Sequence, residues 1–147
     1  MLNYAPNTHL TFDLKLAKEQ SEKNPVFYIQ YAHARIHSIL TKSQITNNKL
    51  QTNPNDQNYK LLNNPAEINL IKQLTKLPEL VKEIVGDYQV QKLPAYAYKL
   101  ANAFHNFYEK CPVIKAENQD LAAARLNLLE ATQIVLKKTL DLMGISA

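Results

Sequence analysis

Glycine is nearly missing: Gly86 and Gly144 are the only two in 147 residues. A glycine-rich phosphate loop or a Rossmann-type turn cannot be built from that supply, and a tightly turned all-β fold is disfavoured. Cysteine is rarer still, with Cys111 alone. That excludes an internal disulfide and any cysteine-based zinc cluster, and it suits a reducing, cytoplasmic setting. No stretch approaches the roughly 18 consecutive apolar residues of a membrane span. The opening MLNYAPNTHL lacks the basic and apolar regions of a signal peptide. Arginine is scarce too: Arg35 and Arg125 are the only two among seventeen basic residues. An arginine on an exposed face therefore stands out, because a planar fork does what an ammonium cannot.

What is present points to one packed helical domain. Apolar residues make up 46% of the chain, enough for a sizeable core at this length. Net charge is +4 with a pI near 9.1, which is compatible with nucleic acid without requiring it. Thr11 is a plausible cap for a short helix over 12–22, with Phe12, Leu16 and Ala17 on one side. Asn24-Pro25 is a helix start, the asparagine capping and the proline sitting where no N–H is needed. The helix that follows reaches about Lys42, with Val26, Ile29, His33, Ile36 and Leu40 as its apolar stripe. Residues 43–64 hold seven asparagines between 47 and 64 and read as a polar connection, with Tyr59, Leu61 and Leu62 as a small apolar knot. Asn64-Pro65 repeats the start signal, and Glu67 completes a capping box. Ile68, Ile71, Leu74 and Leu77 form the next stripe. Pro78 marks a break and Gly86 a C-cap. From Pro94 a helix carries Ala97, Leu100, Phe104, Phe107 and Cys111 on one side. The last helix, about 119–143, carries Leu126, Leu129, Leu136, Leu140 and Met143 in one row, and Leu128, Val135 and Leu142 in a second. It ends at Gly144 and should be nearly 40 Å long. The expected fold is all-α, a bundle of five or six helices.

Candidates for chemistry are few. His33 and His37 stand i, i+4, the spacing of a shared metal ion, but His33 falls on the apolar stripe and no glutamate intervenes, so both read as structural or surface residues. His9 and His105 are isolated and read the same way. Cys111 lies on an apolar stripe beside Pro112 and reads as a buried thiol. No pair of carboxylates is recognisably placed for acid–base work. One face remains unexplained. Tyr31 and Arg35 lie about 200° around the helix from the apolar stripe, with Tyr28 one turn before. An outward tyrosine beside a guanidinium is a stacking platform with a phosphate or base reader next to it. The same spacing also fits a second helix packed there, with Arg35 snorkelling past Tyr31. Tyr108, at the edge of its own stripe, leaves the same choice, and Tyr96 and Tyr98 are ambiguous.

Three long stretches taken in order, NPVFYIQYAHARIHSIL, LPAYAYKLANAFHNFYEKC and ARLNLLEATQIVLKKTLDLMGISA, closely resemble the C-terminal anticodon-binding (DALR-type) domain of arginyl-tRNA synthetases. FDLKLAKEQSEKNP resembles the segment leading into that domain, and only 43–64 departs, where the family varies in length. The resemblance implies the all-helical anticodon-binding bundle of a subclass of class I synthetases. It implies one domain over 1–147, with 1–23 as lead-in and 43–64 as a variable loop. Tyr31, Arg35 and Tyr108 match positions that contact the anticodon loop, and Tyr28 is a possible further contact. The family's Rossmann catalytic domain, which uses ATP with Mg, its N-terminal tRNA-elbow module and its short tail past GISA have no counterpart in this sequence. The chain is accordingly expected to be a domain fragment with no catalytic centre, cofactor or metal of its own. Its expected partners are the anticodon stem-loop of tRNA(Arg) and the parent's catalytic domain, and it is expected to be monomeric and cytoplasmic. The rival from another class is a helical protein–protein module whose Tyr-rich face meets a partner chain. A related synthetase of different amino-acid specificity is a further alternative.

Overall fold

A computed structural model describes residues 13–19, 21, 23–46, 57–114 and 116–147. Six α-helices follow one another: α1 Leu14–Lys18, α2 Pro25–Thr46, α3 Pro65–Leu74, α4 Leu77–Asp87, α5 Lys92–Lys110 and α6 Gln119–Leu142, with a 3-10 turn at Gln57–Leu61 before α3. No strand occurs among the described residues. The all-α bundle expected from the sequence is the observed class.

Local chemistry sets the ends. The Asn24 side chain accepts from the Val26 N–H at 3.1 Å and starts α2. At α3, Asn64 accepts from Ala66 and the Glu67 carboxylate accepts from the Asn64 N–H at 2.8 Å, closing the capping box. Asn118 accepts from Leu121 to start α6, and Gly144 follows its end at φ +71°, a conformation that suits glycine.

Several ends differ from the sequence reading. The described lead-in helix is only Leu14–Lys18, while Thr11 and Phe12 lie outside the described residues. α2 runs to Thr46, four positions into the asparagine-rich stretch, and the buried Ser43 hydroxyl donates to the Leu40 carbonyl at 2.7 Å. Of the expected apolar knot only Leu62 is buried; Tyr59 and Leu61 face solvent. Gly86 does not cap α4. The left-handed position is Tyr88, at φ 57°, whose N–H bonds Ile84 O while the Asp87 side chain accepts from Gln89. Tyr88 is a non-glycine residue in this sparsely used region, and its side chain is 83% exposed.

α5 is the centre of the bundle. Ala97, Leu100, Phe104, Phe107 and Cys111 are all fully buried, and α5 packs against α3, α2, α6 and α4. Each large apolar side chain so enclosed contributes roughly 1.5–3 kcal/mol. α6 supplies the opposite wall with Leu126, Leu128, Leu129, Leu136 and Leu140, whereas Leu142, at the end of the second expected row, is 51% exposed. Tyr28 meets Tyr98 and His105, Tyr31 meets His105, and Arg35 meets Tyr108, so α2 and α5 run side by side in one direction. α6 returns antiparallel to α2: Gln133 contacts His37 and the Gln30 amide donates to the Ser146 carbonyl at 2.8 Å.

One polar staple crosses this core. Arg125 Nε donates to Glu67 Oε1 at 2.6 Å, and Arg125 Nη1 donates to the Pro112 carbonyl at 2.7 Å. Glu67 is 1% exposed and Arg125 8%. The capping glutamate of α3 thus also holds α6 and the α5–α6 connection.

Candidate nucleic-acid interface

The buried arc of α2 is Ile29, Ala32, Ile36, Ile39 and Ser43. Val26 is exposed, and His33 and Leu40 are only half-buried. The arc is therefore rotated by roughly 60° from the expected stripe, at 100° per residue. The cause is that α2 packs against two helices, α5 and α6, and Ala32 on its buried side is fully enclosed. This rotation moves Tyr28, Tyr31 and Arg35 from the back of α2 to its flank, alongside α5. It moves His33 to the other flank, toward α6.

On the α5 flank the expected residues meet. Arg35 Nη1 donates to the Tyr31 hydroxyl at 2.7 Å. The guanidinium carbon lies 4.8 Å from the Tyr108 ring centroid and 5.8 Å from that of Tyr31. Tyr31 is 40% exposed, and Arg35, Tyr108 and Tyr28 are half-buried. Neither reading of the sequence is complete. α5 does pack along this face, and it leaves Tyr31 and Arg35 open at their edge. Partial burial pulls the Arg35 pKa down, but the hydrogen bond to Tyr31 and its coupling to Tyr31 and Tyr108 outweigh that, so the pKa rises and the group stays a cation.

Two further rings join the patch. His105 stacks on Tyr31 with centroids 6.0 Å apart and planes at 18°, and it lies 4.9 Å from Tyr28. Tyr98, 43% exposed, lies 5.1 Å from Tyr28. His105 read as an isolated histidine in the sequence. The available signal was its place one turn before Tyr108, which matters only once α5 is known to run parallel to α2. Tyr96, left ambiguous with Tyr98, is a core residue: its hydroxyl donates to the Gln73 carbonyl at 3.0 Å, and burial pushes its pKa up to about 12. Beyond Tyr108 a cleft of about 330 Å³ opens between Ile39, Glu109, Pro112, Val113 and Ile114.

The other candidates stay structural. Cys111 is buried, and burial, then the nearby Glu67 carboxylate, push its thiol pKa up, which makes it a poor nucleophile. No group of three or more His, Cys, Asp or Glu among the described residues could hold a metal ion, and no described helix is long and apolar enough to cross a membrane.

A helical bundle with an open tyrosine–guanidinium patch on one flank is a binding module in form. Residues 29–147 match the model of the DALR anticodon binding domain, and the chain belongs to that family. It is 44% identical over 140 residues to an arginine–tRNA ligase of Dehalococcoides mccartyi, covering 95% of this chain and 24% of that protein. A Salinibacter ruber arginine–tRNA ligase is also 44% identical, with 97% and 25% covered. A crystal structure described as an arginyl tRNA synthetase from Campylobacter jejuni superposes with a TM-score of 0.76 at 30% identity, covering 99% of this chain and 31% of that one. The chain thus spans about a quarter of the length of the curated relatives it matches.

Proposed function

We propose that this domain grips the anticodon loop of an arginine tRNA on behalf of an arginine–tRNA ligase, and that Tyr31, Arg35 and Tyr108 carry the contact, flanked by Tyr28. The observation that carries the reading is the Arg35 guanidinium held between two half-open tyrosine rings, bonded to Tyr31 and lying over Tyr108. Loop bases are unstacked and offer their faces to tyrosine, while their edges and phosphates are met by arginine. Each base–aromatic stack is worth roughly 1–3 kcal/mol. The pre-formed bond to Tyr31 fixes the fork before RNA arrives, so less freedom is lost on binding. The Tyr108 cleft offers an apolar wall beside the stack.

In this reading residues 1–147 form one domain of a longer cytoplasmic ligase, monomeric and with no catalytic centre of its own. The Rossmann-type catalytic domain would lie elsewhere in the parent. ATP with its Mg ion would be held there and would activate the arginine carboxylate. This chain's part is to hold the far end of the tRNA so that its acceptor end is presented to that centre.

Titration of the 147-residue chain with a tRNA(Arg) anticodon stem-loop tests the proposal. Affinity should fall steeply with salt, because lysine and arginine displace counterions from phosphate. An isolated chain that shows no affinity for the stem-loop at low salt, or a salt-independent one, would contradict it.

A further inference from the structure

His105 stands in the aromatic patch but is turned inward. The residue is half-buried, and its Nε2 atom is cut off from solvent. A side chain so placed is badly set to meet a nucleotide itself. Its ring instead touches rings that are well set. The imidazole lies nearly parallel to Tyr31, with planes at 18° and centroids 6.0 Å apart, and 4.9 Å from Tyr28 at 45°. The fully buried Phe104 ring is 5.0 Å away. His105 therefore bridges the core and the open edge of the patch.

Tyr31 gains something from this bridge that its own helix does not supply. Phe27, one turn before it, stacks at 6.4 Å with planes at 16°, and Arg35, one turn after it, donates to its hydroxyl. Neighbours four residues away on the same helix hold a ring along the helix axis. They do little to stop it swinging across the seam between α2 and α5. His105 comes from α5 and closes that direction. At this separation the two near-parallel rings are offset rather than eclipsed, an arrangement that aromatic pairs favour. Tyr31 accordingly keeps 40% of its surface open while its orientation is fixed. A ring ordered before RNA arrives loses less freedom when a base stacks on it.

We propose that His105 is a positioning residue for RNA binding: it holds the Tyr31 ring in the orientation that receives an unstacked base, without touching the RNA itself. The inference rests on the reading of Tyr31 as a stacking platform and deepens it.

A double-mutant cycle between His105 and Tyr31, read as affinity of the 147-residue chain for the tRNA(Arg) anticodon stem-loop, tests the proposal. His105→Ala should weaken binding at least about threefold, and His105→Gln, which is polar but has no ring, should do the same. His105→Phe keeps a planar ring and should stay within about twofold of the parent. In a Tyr31→Ala background the loss from His105→Ala or His105→Gln should shrink below about 1.5-fold, because the ring it would disturb is gone. A role in folding alone, or a direct contact of His105 with RNA, would give the same loss in both backgrounds, and that result would overturn the proposal. Parent-like binding by His105→Gln, or no rescue by a folded His105→Phe, would do so too. If Tyr31→Ala alone leaves affinity unchanged, the stacking reading fails and this one with it. A loss from Tyr31→Ala with none from the His105 variants removes the positioning role and leaves the stacking reading in place.

Discussion

At the scale of single residues, the arginines and histidines are set apart by their surroundings. Arg35 forms a planar fork against Tyr31 and Tyr108. Arg35→Lys keeps the charge and loses the fork, so stem-loop affinity should fall about fivefold or more, with the salt slope little changed. Full retention would reduce Arg35 to a plain phosphate contact. His33 is a different case. Burial first, then the charges of His37 and Lys137, hold its pKa below 6.5, against a smaller opposing effect of Asp141. The unfolded chain therefore takes up a proton that the folded chain resists. Stability from this group is complete above pH 6.5 and is lost as pH falls below it toward the folded-state pKa. Urea midpoints on either side of that pH should show the loss, and His33→Gln should flatten it. Sequence spacing had placed His33 in the core and Tyr31 on the opposite face. Both sit on flanks instead, because periodicity gives the width of a buried face and not the number of neighbours sharing it.

At the scale of elements, the helices were legible because their ends are written in short-range chemistry. Asn24-Pro25 and Asn64-Pro65-Ala66-Glu67 act within one turn, so no tertiary knowledge is needed to see them. The α5 stripe was legible for the same reason, since a single period of 3.6 fits a helix enclosed on one broad face. What could not be read was pairing. The parallel course of α2 and α5, which brings His105 under Tyr31, depends on contacts about 75 residues apart in sequence, and no local pattern encodes them. The Glu67–Arg125 staple is similar: the capping role of Glu67 was visible and its second partner was not. Removing Arg125 strands a carboxylate that is 1% exposed. Arg125→Met should cost about 3–5 kcal/mol by chemical denaturation, and pairing it with Glu67→Leu should recover part of that. An Arg125→Met protein as stable as the parent would show that the staple contributes little.

At the scale of the whole molecule, the bundle presents two unlike surfaces. One flank carries tyrosines, a histidine and an arginine, and one end carries an open apolar groove between α4, the start of α5 and the end of α6. Family membership shows the kind of domain this is, and the proposed RNA contact lies on the flank. The central claim is the flank. It is tested most directly by measuring the affinity of the 147-residue chain and of its Tyr31→Ala and Tyr108→Ala variants for a tRNA(Arg) anticodon stem-loop at one fixed, low salt concentration. Each variant should bind at least about fivefold more weakly, the loss of one base–aromatic stack, with its fold unchanged. Unaltered affinity in both would contradict the account.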